Sequence, residues 1–181
     1  MGGDNGSDRL SSAPAAVMIV IGVSGSGKST VGRALAAKLD VPFLDGDDLH
    51  PVQNITKMAG GQALDDEDRL PWLAALAAQV GAMAAARGGV IACSALKRKY
   101  REALLAAAST VSFLLLTLPP EVARARVTGR RDHFMPAGLI DSQFDHLEPL
   151  DHSEPGLAVD ATGDLKDEVA AASAYLAEHD D

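Results

Sequence analysis

The segment Gly22-Val23-Ser24-Gly25-Ser26-Gly27-Lys28-Ser29 constrains this chain more than any other, because it satisfies the full pattern Gly-x-x-x-x-Gly-Lys-Ser/Thr. Glycines in such a run permit backbone conformations and close approaches that side chains would block, so that successive N–H groups surround an anion. Before it, Val17-Met18-Ile19-Val20-Ile21 is short, apolar and β-branched, as a strand buried on both faces of a parallel sheet should be. After it, Val31, Leu35 and Leu39 recur at helical spacing, which puts the positive end of a helix at the phosphate site. The expectation is an ATP site spanning Gly22 to Thr30. In it Lys28 reaches the β- and γ-phosphates as a catalytic cation, and Ser29 ligates Mg²⁺.

Further strands follow at regular intervals. Pro42-Phe43-Leu44 ends at Asp45, Val90-Ile91-Ala92-Cys93 is a third apolar run, Val111 to Leu116 a fourth and Gly156 to Val159 a weaker fifth. Between them, Leu73, Leu76, Val80 and Met83 mark a long helix stopped by Gly88-Gly89, and Leu96 to Leu105 reads as a basic helix. Pro119-Pro120-Glu121 starts another helix, and Leu165, Val169 and Leu176 share one face of a closing helix. Strands alternating with helices predict an α/β fold, a doubly wound parallel sheet flanked by helices, with ligands at the carboxyl ends of the strands. The strand order is not readable from the chain alone. Residues 1–15, rich in Gly, Ser, Asp and Asn, read as a flexible extension, and 16–181 as a single domain.

Composition narrows the partners. With 25 acidic against 16 basic side chains, the net charge of −9 argues against a protein that coats nucleic acid. No run approaches the ~20 apolar residues needed to cross a bilayer, and the first residues lack the pattern of a secretory signal. One cysteine, Cys93, permits no internal disulfide, and a cytoplasmic location is expected. Two basic islands stand out, Lys97-Arg98-Lys99-Tyr100-Arg101 and Arg124 to Arg131, suited to small anions or to solvated helix faces.

Asp45-Gly46-Asp47-Asp48-Leu49-His50 follows the second strand and delivers carboxylates toward the phosphate site. A phosphotransferase needs one carboxylate near its metal and another near the acceptor hydroxyl, and Asp45 and Asp47 are spaced for those roles. Such loops are also common turns and helix caps.

At this point the chain resembles bacterial gluconokinases. The resemblance is carried by Gly22 to Thr30, Asp45-Gly46-Asp47 through His50-Pro51, Asn54, Lys57-Met58, Asp68-Arg69 and Pro71-Trp72-Leu73. It continues through Cys93-Ser94-Ala95-Leu96-Lys97 with Tyr100-Arg101, His133-Phe134-Met135, Ser142-Gln143-Phe144 and Leu147-Glu148, and so spans about Val17 to Leu176. It implies an enzyme related in fold to shikimate and adenylate kinases that phosphorylates D-gluconate at its 6-hydroxyl.

By similarity to shikimate kinases, Asp45 is then a metal-side residue, and Asp47 a catalytic residue that holds the acceptor hydroxyl. His50, Lys57, Arg69, Lys97 and Arg101 become candidates for the sugar-acid pocket. Arg126-Val127-Thr128-Gly129-Arg130-Arg131 resembles the start of an adenylate-kinase lid. This implies Arg126 on the adenine, Arg130 as a catalytic contact to phosphates, and a lid over about 130–140. Asp160-Ala161-Thr162-Gly163 is the expected adenine-side loop. Family members are often dimers, so a homodimer is carried as an expectation although no interface is legible. Two other readings stay open: a kinase for another sugar acid, polyol or nucleotide, and a non-catalytic ATP-binding regulator.

Overall fold

The apolar run ahead of the glycine-rich turn forms strand β1 (Val17–Ile21), every residue of which is buried. A computed structural model of the protein describes residues 15–129 and 137–179. Alternate side chains of β1 enter different cores because successive residues of a strand face opposite ways. Val17, Ile19 and Ile21 join one cluster, and Met18 and Val20 another. A strand so placed has no solvent face, which is why its sequence is continuously apolar rather than alternating.

β1 lies at the centre of a five-stranded sheet ordered β2-β3-β1-β4-β5, with β2 at Phe43–Asp45, β3 at Gly89–Cys93, β4 at Val111–Thr117 and β5 at Gly156–Asp160. Every pairing is parallel, and Ile21 is level with Cys93 on one side and Leu115 on the other. The chain leaves β1 toward one edge and later crosses to the other side of it at β4, so the crevice for a ligand opens at the carboxyl end of β1.

The first core cluster is roofed by α3 (Asp66–Ala84) and α4 (Arg98–Leu105) through Trp72, Leu76, Val80, Tyr100 and Leu104. The second is covered by α1 (Lys28–Leu39) and α7 (Leu165–Glu178) through Val31, Leu35, Val169 and Ala172. A third, smaller cluster lies over the phosphate loop. There Val23 meets Ala123 and Val127 of α5 (Pro120–Thr128) and Ile140 of α6 (Ala137–His146). Fully burying each such aliphatic side chain stabilises the fold by roughly 1.5–3 kcal/mol.

Two helices begin elsewhere than the periodicity suggests. The long helix starts not near Leu73 but at Asp66, where Asp65 and Asp68 form a capping box: each side chain accepts the other's backbone N–H. Pro71 lies inside it, in the second turn, where it forgoes the helical hydrogen bond to the Glu67 carbonyl. The basic helix starts at Arg98 rather than Leu96, because Leu96 turns into the core and Lys97 holds the extended cap position. The sequence reading also passed over α2 (Val52–Ala59), a short helix beyond a 3₁₀ turn at Gly46–Leu49, and α6. Most of the N-terminal extension expected at 1–15 lies outside the described residues, as do Arg130, Arg131, His133, Phe134 and Met135; positions 137–140 of the expected lid belong to α6.

Candidate active site

Gly25 shows why the turn after β1 needs glycine. It sits at φ +82°, and a Cβ there would lie 2.6 Å from the Ala123 carbonyl oxygen of α5. The loop is thus pressed against a helix. The Ser26 hydroxyl is buried without a hydrogen-bond partner among the described residues, an orphan that a phosphate oxygen would satisfy. Lys28 Nζ donates to Val23 O at 3.0 Å, holding the ammonium over the loop.

Beside the loop lies a cavity of about 420 Å³ lined by Gly25, Ser26, Gly27, Thr30, Arg126, Ala161 and Gly163, among others. Arg126 donates to Ala161 O at 2.8 Å and to Gly25 O at 3.4 Å, so its guanidinium ties the loop after β5 to the phosphate loop and forms one wall. Room for a planar base beside a guanidinium face, next to a phosphate cradle, matches the needs of a nucleotide.

On the other side of Lys28 is a second cavity, of about 280 Å³, lined by Lys28, Ser29, Arg33, Asp45, Asp47 and Asp48. Ser29 Oγ donates to Asp45 Oδ2 at 2.6 Å, and Asp45 Oδ1 accepts the Asp47 N–H at 3.2 Å. The structure therefore puts Asp45 against the hydroxyl of Ser29, while the Asp47 carboxylate is left to the cavity. Gly46 makes this placement fit: a Cβ there would come within 2.8 Å of Ala92 O and 2.9 Å of Cys93 Cβ. Trp72, fully buried in the core, donates from Nε1 to Gly46 O at 2.8 Å and clamps the same turn.

The basic candidates gather around the acidic start of α3. Lys57 Nζ pairs with Asp68 at 2.5 Å, Lys97 Nζ with Asp66 at 3.1 Å, and Lys99 with Asp66 as well. Tyr100 OH also donates to Asp66, at 2.5 Å. Lys99, Tyr100 and Lys97 together hold the Asp66 carboxyl well below the usual carboxylate range. Arg69 donates to Leu64 O and Tyr100 OH and lies over the Tyr100 ring, 5.5 Å from its centroid. His50 stacks on Trp72 with ring centroids 4.7 Å apart, and burial lowers its imidazole pKa, Asp47 opposing the shift and Arg69 adding to it.

A phosphate cradle, a hydroxyl–carboxylate pair and a second carboxylate thus line one cavity, and the chain as a whole is similar to known proteins. A family model described as an AAA domain matches residues 17–150. The thermosensitive gluconokinase of Escherichia coli (strain K12) is 48% identical over 131 residues, covering 72% of this chain and 70% of that protein. The chain belongs to the gluconokinase family. The solved structure of a gluconokinase from Sinorhizobium meliloti 1021 superimposes with a TM-score of 0.82 at 41% identity, covering 92% of this chain and 93% of that one. An unliganded sugar kinase from Janibacter sp. HTCC2649 does so with a TM-score of 0.86 at 40% identity, covering 91% and 95%.

Within this gluconokinase family member, one expected pocket residue proves to have another task. Arg101 is fully buried, and its guanidinium donates to Glu154 through Nε at 2.6 Å and Nη2 at 2.9 Å. Its remaining N–H groups go to Leu96 O, Glu148 O and Pro149 O. With its donors spent on the fold, Arg101 is not a partner for a substrate carboxylate. Arg101 is buried one turn beyond Lys97, which pairs with Asp66 from the cap position of α4. Leu147-Glu148 is likewise structural: Glu148 Oε2 accepts the Arg98 N–H and caps α4. Cys93 is buried, and burial pushes its thiol up to about 12, so it supplies no nucleophile.

Sequence reasoning missed four participants. Asp66 gathers three donors, Asn54 links His50 to Asp68 O, and Glu168 lines the nucleotide cavity. Gln143 accepts the Ser24 N–H at 2.6 Å. Asn54 and Gln143 stand in the segments that carry the family resemblance, which was the available signal. Asp66 and Glu168 offered none, because exposed-looking acids at helix starts are ordinary caps.

Proposed function

We infer that the protein transfers the γ-phosphoryl group of ATP to the 6-hydroxyl of D-gluconate, giving 6-phosphogluconate and ADP. The observation that carries the reading is one cavity in which Lys28, Ser29 and Asp45 line the phosphate side and Asp47 the acceptor side. A regulator that only bound ATP would need no acceptor carboxylate, and family membership speaks for gluconate over other acceptors.

Ser29 and Asp45 would hold Mg²⁺. Their oxygens, 2.6 Å apart, are hard donors, and Mg²⁺ needs few protein ligands because it keeps waters and phosphate oxygens. When bound, the metal neutralises charge on the β- and γ-oxygens. Lys28 supplies a positive charge where the bridging oxygen gains negative charge. Asp47 aligns the acceptor hydroxyl and takes its proton late, since the transition state is loose. Arg126 forms the base-side wall, while Arg130 and a lid over about 130–140 would complete the phosphate contacts and exclude water. Lys97 and Lys57 receive the gluconate carboxylate in exchange for Asp66 and Asp68, and Arg69 turns its guanidinium to it from Tyr100 and the Leu64 carbonyl. His50 sits beside Asp47 against the Trp72 ring. A cytoplasmic location completes the reading, supported by a lone buried thiol; no helix among the described residues is long and apolar enough to cross a membrane.

The test is ADP release over a panel of sugar acids, hexoses, shikimate and nucleoside monophosphates. Gluconate should give by far the highest kcat/KM, and a better acceptor in the panel would redirect the assignment. In a magnesium titration, Asp45→Asn should need more metal for half-maximal rate and be partly rescued by excess. Asp47→Asn should lose turnover that no metal concentration restores.

A further inference from the structure

Gln143 lies in a segment whose likeness to the family is clear but whose task the phosphoryl-transfer reading leaves unassigned. Its side chain reaches from α6 to the third residue of the phosphate loop, where Oε1 accepts the Ser24 N–H at 2.6 Å. The same peptide group ends, on its other side, in the Val23 carbonyl. That oxygen accepts Lys28 Nζ at 3.0 Å and the Ser26 N–H at 3.2 Å. One peptide plane is thus gripped at both poles, by Gln143 at its N–H and by the catalytic ammonium at its C=O. The apolar contact beneath it is continuous: Val23 is fully buried against Ala123, Val127 and Ile140, with Phe144, next to Gln143, packed on the same cluster.

We propose that Gln143 is a positioning residue for phosphoryl transfer, acting through the Val23–Ser24 peptide on Lys28. Two physical effects follow from the arrangement. With its N–H committed to Gln143, the peptide cannot turn that N–H toward the nucleotide, which leaves the phosphates to the ammonium and to other N–H groups of the loop, Gly25 and Gly27 among them. Hydrogen bonds through one peptide polarise each other, so the bond at the N–H strengthens the carbonyl's hold on Lys28. Loss of the Gln143 acceptor frees the plane to rotate, and Lys28 loses one of the contacts that fix its starting point.

The experiment is steady-state kinetics of the full chain with ATP and gluconate, together with thermal melts. Gln143→Leu keeps the bulk and removes the acceptor; kcat should fall at least tenfold, with KM for gluconate within about twofold and a melting temperature close to the wild type. Gln143→Glu keeps an acceptor oxygen and should recover most of that loss. Ser24→Pro removes the donor from the other end at a residue whose φ is negative, and serves if the Leu substitution does not fold. It should lower kcat similarly, and the Ser24→Pro, Gln143→Leu double variant should be no slower than the slower single. A Gln143→Leu enzyme within twofold of the wild type in kcat overturns the proposal. So does a Glu variant as slow as the Leu variant, or losses that multiply in the double variant.

Discussion

On the phosphate side of the cleft the polar groups come from one stretch of backbone, Val23 to Ser29, braced by α5 and α6. On the side proposed for the sugar acid they are side chains of α2, α3, α4 and its cap, cation against carboxylate: Lys57 on Asp68, and Lys97 and Lys99 on Asp66. The first surface presents its donors ready-made, with a buried Ser26 hydroxyl still unpaired. The second has its charges already satisfied, so an incoming carboxylate must exchange for one that is present. Preorganised dipoles act on the transition state without reorganising. Exchangeable ion pairs give selectivity and modest affinity, because the gain of one contact is offset by the loss of another.

If that contrast holds, damage to the two sides should differ in size and in kind. The largest effect is expected at Lys28. Lys28→Met should lower kcat by about 10²–10³-fold, well beyond any loss of ATP affinity, and a folded variant with near-normal turnover would break the comparison on its strong side.

Next is the arginine that sequence reasoning assigned to the pocket. Arg101→Met strands the Glu154 carboxylate in the core and should cost roughly 3–5 kcal/mol, lowering the melting temperature by about 10 °C. Adding Glu154→Leu should restore most of it, since two apolar groups replace a buried pair at little cost. Normal stability in the single variant, with a raised KM for gluconate, would return Arg101 to the pocket.

Lys97→Ala should raise KM for gluconate about tenfold, as expected for one charged hydrogen bond, with kcat changed far less. An unchanged KM leaves Lys97 as a partner of Asp66 alone.

The smallest effect concerns pH. Asp66 is held below its ordinary 3.8 by Lys99, Tyr100 and Lys97, so its contribution to stability is present above about pH 4 and fades as acid protonates it. Asp66→Asn should therefore narrow slightly the gap between melting temperatures near neutrality and near pH 3. A wider gap would contradict the sign.

How much was legible follows the range of the interactions. Local rules located the strands, the loop Gly22 to Ser29 and the aspartate pair, because alternation, glycine freedom and helix ends act within a few residues. The same rules misplaced the start of α3, since the Asp65–Asp68 capping box was outweighed by the apolar positions from Leu73 onward. They were silent on α6, whose place depends on Ile140 meeting Val23 from 117 positions away.

The sequence by itself determined that a triphosphate-binding turn follows a doubly buried strand, and that Asp45 and Asp47 stand at the end of the next one. Both are consequences of backbone chemistry in contiguous residues. Only the tertiary structure decided the strand order and the fates of two cations on one helix. Lys97 faces the acids of α3, while Arg101, a single turn on, is sealed against Glu154. Spacing puts those two residues one turn apart, at the cap and in the body of α4, and says nothing of what packs against them. Desolvation settled the difference: a buried guanidinium must find its partners inside the protein, and the loop from Glu148 to Glu154 supplies them only once the sheet has brought it alongside α4.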